Sequence, residues 1–114
     1  MGIAQVYSGK DPIDFSGMSA GDNAQGGLAE WLLRAGRGDI EAYFDLGVAY
    51  STASHGAVCD LIEAHRWFNL AAVAGHEEAQ MCRAEVAGEM SAREIAEAQR
   101  RARAWLAEIR RMAA

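Results

Sequence analysis

The sequence predicts an all-α protein, a short α/α solenoid of antiparallel helix pairs about two repeats long, with an irregular N-terminal arm. Three observations lead there: a single proline (Pro12) in 114 residues, glycines and capping residues that punctuate helical stretches, and a helix-loop-helix pattern that occurs twice. Nine of the last twelve residues are Ala, Arg, Glu or Leu, side chains that lose little freedom on a helical backbone. At 51% hydrophobic and 24% charged the composition is globular, and the length suits one domain. Two regions are expected, an arm over residues 1–26 and a repeat domain over 27–114. The arm is set apart by Gly2, Gly9, Gly17, Gly21, Gly26 and several serines and aspartates, with Ile3, Val6, Tyr7, Ile13, Phe15 and Met18 as isolated apolar handholds.

Helices follow from residue 28 onward. Leu28 to Ala35 forms a first helix stopped by Gly36 and Gly38, and Asp39 caps a second helix that runs to about Thr52. Asp60 with Glu63 reads as a capping box that opens a third helix, which Gly75 ends in a left-handed turn. A fourth helix covers Glu77 to Ala87, before Gly88. Ser91 and Glu94 form a second capping box ahead of a long last helix. Along it Ile95, Ala98, Ala102, Trp105, Ile109 and Met112 recur at spacings of three and four, an apolar stripe that needs covering.

The repeat is visible in the letters. Gly38-Asp-Ile-Glu-Ala42 returns as Gly75-His-Glu-Glu-Ala79, 37 residues on, and Glu63-Ala-His-Arg66 returns as Glu97-Ala-Gln-Arg100, 34 residues on. Helix pairs with such periods cannot bury their apolar faces alone and stack on their neighbours.

In residues 42–79 the run is Ala42-x3-Leu46-Gly47-x2-Tyr50, then Asp60-x3-Ala64-x2-Trp67-Phe68-x2-Ala71-Ala72-x2-Gly75-x3-Ala79. This run resembles the Sel-one-like repeats, relatives of the tetratricopeptide repeats. The likeness covers about residues 28–107. It departs from the family pattern in a loop one residue longer between Tyr50 and Asp60, and in a second unit that carries Arg83 and Ala84 where the first has Leu46 and Gly47. The resemblance implies adaptor work, with stacked helices offering a concave surface to a protein or peptide.

Other chemistry is poorly supported by the residues. His55, Cys59, Asp60, His65 and His76 match no established ligand spacing, so no metal or cofactor is expected. No orienting group, oxyanion donors or phosphate loop accompanies Cys59, so no enzyme is expected. Cys59 and Cys82 form no CxxC pair, and no apolar run approaches the roughly 20 residues of a membrane span. Reduced thiols in the cytoplasm and no membrane partner are therefore expected. Arginine outnumbers lysine ten to one, in keeping with a GC-rich bacterial genome. Residues 1–90 hold 5 Lys or Arg against 13 Asp or Glu, a net of -8, whereas residues 91–114 hold 6 arginines against 3 glutamates, a net of +3. An acidic body repels phosphates, so no nucleic-acid partner is expected.

The expected function is non-enzymatic adaptor binding of a partner with basic and apolar residues. The alternative is a self-assembling structural or regulatory homo-oligomer such as a homodimer, and the third reading is a thiol or metal sensor at Cys59. By similarity with tetratricopeptide repeats, Glu41, Phe44, Val48, Ser51 and Thr52 fall on the concave side of the first unit. The 37-residue offset adds Glu78, Met81 and Glu85 from the second.

Overall fold

The computed structural model describes residues 27–113; the arm expected over 1–26 lies outside the described residues. Among the described residues there are five helices and no strand: α1 (Leu28–Ala35), α2 (Ile40–Thr52), α3 (Leu61–Val73), α4 (Glu77–Ala87) and α5 (Ala92–Ala113). The helix limits follow the punctuation in the sequence because the starts of α2 to α5 each carry a side-chain acceptor, whereas α1 begins at Gly27 without one. Asp39 Oδ1 takes the backbone N–H of Glu41 at 3.0 Å, and Asp39 Oδ2 takes Arg34 Nε at 2.9 Å. His76, at the same place in the second unit, accepts the N–H of Ala79 through Nδ1 at 3.2 Å. Ser91 and Glu94 form the full reciprocal box, Glu94 N to Ser91 Oγ at 3.1 Å and Ser91 N to Glu94 Oε1 at 2.9 Å.

The box expected at α3 is only half made. Asp60 Oδ1 accepts the N–H of Glu63 at 3.1 Å, but the Glu63 carboxylate turns away from the helix start to meet Arg66, Trp67 and Arg101. Between α2 and α3 the longer loop closes by a hydrogen bond from Asp60 N to the Tyr50 carbonyl at 3.0 Å. Ala53 (φ 56) and His55 (φ 56) both adopt the left-handed conformation beside Gly56 (φ 88), so an alanine performs the turn that a glycine usually makes.

Adjacent helices pack in pairs, and α3 is the shared element, lying against α2, α4 and α5, with α1 on the far side of α2. The last helix lies on α3 more than on its chain neighbour α4. Its contacts run Glu63 to Arg101 and Trp67 to Trp105, so α3 and α5 point the same way. Small residues make this approach feasible: Ala64, Ala71, Ala98 and Ala102 are all buried. The core is aromatic, with Tyr43 stacked on Trp67 at 5.9 Å between centroids and Trp67 meeting Trp105 edge-on at 4.9 Å. Cys82 and Val86 bring α4 into it.

The tightest approach is between α2 and α3 at Gly47. A Cβ there would lie 2.5 Å from Phe68 Cδ1 and 2.6 Å from Cε1, and Phe68 is fully buried, so its ring has nowhere to swing. Gly47→Ala is therefore expected to destabilise the fold. Overpacking costs about 1 to 3 kcal/mol, which exceeds the roughly 1 kcal/mol gained from alanine's helix propensity. Urea melts check this, and adding Phe68→Leu should restore part of the loss through coupling between the two sites.

Candidate partner-binding surface

The two copies of the repeated turn face each other. Gly38, Asp39, Ile40 and Glu41 before and at the start of α2, with Ala74, Gly75 and His76 before α4, line an open cleft of about 510 Å³. Each turn ends one helix and caps the next, and because α2 and α4 both pack on α3 the two turns lie side by side. Gly75 (φ 107) holds a conformation that suits glycine, and a side chain there would be strained by the backbone though it would meet no neighbour. Glu41 is exposed, and its Oε2 lies 3.7 Å from His76 Nε2; Ile40 is partly exposed on the rim. From the cleft the surface continues along α4, where Glu77, Glu78, Met81 and Glu85 are exposed, and into the turn after it, where Glu89 is exposed.

The residues expected on the concave side divide into two groups. Glu41, Glu78, Met81 and Glu85 are at the surface, and Thr52 is half-buried with its hydroxyl donating to the Val48 carbonyl at 2.8 Å. Phe44, Val48 and Ser51 are corrections. Phe44 is fully buried, 4.3 Å from the His76 ring and 5.7 Å from Phe68, and Ser51 donates to the Val48 carbonyl at 3.1 Å from a buried position. Val48 is buried as well. The physical reason is that α2 sits between α1 and α3, so the side of it expected to be open faces protein. The repeat residues Ala42, Leu46, Gly47, Ala64, Trp67, Phe68, Ala71, Ala72 and Ala79 are buried, Tyr50 is half-buried, and Asp60 and Gly75 lie at the surface turns. Sequence reasoning did not find Ile40 or the cleft. The signal was available in the recurrence of the Gly38-Asp39 and Gly75-His76 turns.

A second, smaller cleft of about 210 Å³ lies between α3 and α5, lined by Arg66, Arg100, Arg101, Ala104, Trp105 and Glu108. Its cations are largely matched. Glu63 Oε2 takes Arg66 at 3.1 Å and Arg101 at 2.6 Å, while Glu97 takes Arg100 and Arg101, each at 2.7 Å. Arg66 also lies over the Trp67 ring, 4.4 Å from its centroid. Hydrogen bonds from Arg100 and then Arg101 hold the Glu97 carboxyl down at about 2.

The groups weighed as a metal or thiol site are dispersed. His65 is buried within α3, His55 packs edge-on against Trp31 at 5.0 Å, and His76 caps α4. Among the described residues no three His, Cys, Asp or Glu side chains converge to hold a metal ion, and no helix is long and apolar enough to cross a membrane.

Comparison with protein-family models, with curated proteins and with solved structures finds no match.

Two outcomes follow from these placements. Phe44→Ala should cost about 3 to 5 kcal/mol in thermal or urea unfolding, the price of emptying an aromatic core position. His65 supplies a pH dependence: burial, and then the nearby positive charge of Arg83, push its pKa below the ordinary 6.5. As pH falls through 6.5 the unfolded chain takes up a proton that the folded chain resists, so stability should decline from about pH 7 toward pH 5. Glu97, ionised down to about 2, loses its contribution only at lower pH and does not mask this window. Equilibrium melts of the protein and of His65→Gln across that range provide the check, and the variant's curve should be flatter.

Proposed function

We propose that this protein is a non-enzymatic, cytoplasmic interaction module that binds a protein segment carrying Lys or Arg beside an apolar residue. The observation that carries the reading is the open cleft at the paired turns, continuous with the exposed carboxylates of α4. Glu77, Glu78, Glu85 and Glu89 have no ion-pair partner among the described residues, and the apolar groups amid them, Ile40 (37% exposed) and Met81 (47%), are uncovered. Unmatched carboxylates steer cations by their field, and an apolar group among them supplies the contact that excludes water. The Sel-one-like motif is consistent with such a role, since stacked helix pairs serve as scaffolds.

Titration with a fluorescent peptide of alternating Lys, Arg and Leu tests the proposal. Glu78→Lys with Glu85→Lys should weaken binding by about tenfold or more, equivalent to about 1.4 kcal/mol. Met81→Ser should weaken it without changing the melting curve. Because the charges are exposed, affinity should also fall as salt rises. Binding that ignores all three substitutions would place the site elsewhere.

A further inference from the structure

Two stripes of opposite charge occur on this molecule with the same helical geometry. On α4, Glu78, Met81 and Glu85 follow one another at spacings of three and four residues, and all three are exposed. On α5, Arg103, Leu106 and Arg110 follow at the same spacings, with both arginines exposed and Leu106 half-buried. Seven residues of helix advance about 10.5 Å, so the two glutamates and the two arginines are equally far apart, each pair flanking an apolar side chain at the same angular offset. We infer that the basic, apolar segment filling the acidic α4 face is the C-terminal half of α5 from a second copy of this chain, an inference that rests on the function proposed above.

The same chain's α5 cannot supply that contact, because it is held on α3 through Glu63 to Arg101 and Trp67 to Trp105. Beyond Trp105 the helix is sparsely covered: Ile109 is half-buried, Met112 is 63% exposed, and Arg110 and Arg111 face solvent. Residues 103–113 carry three arginines and one glutamate, and Glu108 pairs with Arg111, so Arg103 and Arg110 have no acidic partner among the described residues. Residues 77–89 carry four glutamates and one arginine, Arg83, which donates to Asn69 Oδ1 at 2.6 Å. The faces are thus complementary in charge, with the apolar Met81 set between the glutamates as Leu106, partly packed on its own core, is set between the arginines. Two different patches in contact leave each copy with one more of each, so a pair can close about a two-fold axis with the contact made twice.

The experiment is light scattering and sedimentation of the full chain up to about 100 µM in low salt, where a contact of this kind becomes populated. The protein should exceed single-chain mass and return toward it as salt is raised. Glu78→Arg with Glu85→Arg, and separately Arg103→Glu with Arg110→Glu, should each weaken association by about tenfold or more. The chain carrying all four changes should associate again. A single-chain mass for the unaltered protein, association indifferent to either reversal, or a four-fold variant that stays monomeric would each overturn the inference. The Lys-Arg-Leu peptide separates this from the underlying function: if it binds the monomeric protein at Glu78 and Glu85, only the self-partner idea fails. If it also fails to bind the Arg103→Glu, Arg110→Glu variant, whose acidic face is vacant, the proposed function falls with it.

Discussion

The carboxylate of Glu63 sits at the first turn of α3 with its side chain only 14% exposed, and it accepts hydrogen bonds from Trp67 Nε1 at 3.1 Å, Arg66 and Arg101. A carboxylate so far from water is costly unless donors surround it. Here two donors come from its own helix and one from α5. Without Glu63, Arg66 and Arg101 would be left crowded beside Trp105 with no shared counter-charge. Since α3 is the helix against which α2, α4 and α5 all lie, orienting its start orients the others. The same device recurs 34 residues later, where Glu97 holds Arg100 and Arg101 on the surface of α5. The outer copy is exposed and screened by solvent, so it organises side chains more than it stabilises the fold.

Around that ionic centre the packing is set by alternating large and small residues. Trp67, Phe68 and Phe44 fill the space between α2 and α3, and they fit because Gly47 removes a Cβ where the Phe68 ring passes. The arrangement leaves some polar nitrogens without partners: the indole N–H groups of Trp105 and Trp31, Arg66 Nε and His65 Nδ1 are buried with no hydrogen-bond partner among the described residues. Such groups each cost stability. Two of them, on Arg66 and Trp105, belong to side chains lining the cleft between α3 and α5, close to the Glu63 centre.

The helices were legible in the sequence because their ends are written in short-range chemistry. Asp39, Asp60, Ser91, Gly75 and Gly88 act on backbone groups within a few residues, and periodicity needs no knowledge of the partner helix. Which face each helix turns to which neighbour was less legible. Phe44 looked surplus to the pair formed by α2 and α3, yet it is buried against Phe68 and against His76, a residue of the next turn 32 positions away. The role of Glu63 was misread for the same reason. A capping box is local, whereas the bond to Arg101 spans 38 residues and depends on α5 lying along α3. The pairing of the two repeated turns into one cleft was implicit in the 37-residue offset, but only the stacking of the units turns an offset into a surface.

That placement of α5 also explains why the molecule is divided in charge. A last helix lying over α4 would have brought its arginines toward Glu77, Glu78, Glu85 and Glu89 and neutralised both within one chain. Lying over α3 instead, it uses the arginines of its middle, Arg100 and Arg101, on Glu97 and Glu63. Arg103 and Arg110 are left outward, and Glu77, Glu78, Glu85 and Glu89 have no ion-pair partner among the described residues. The aromatic contact between Trp67 and Trp105 fixes this choice, because it buries apolar surface that a charge-matched docking on α4 would leave exposed. Hydrophobic packing decides the position of the helix, and the electrostatic mismatch it leaves behind stays on the surface.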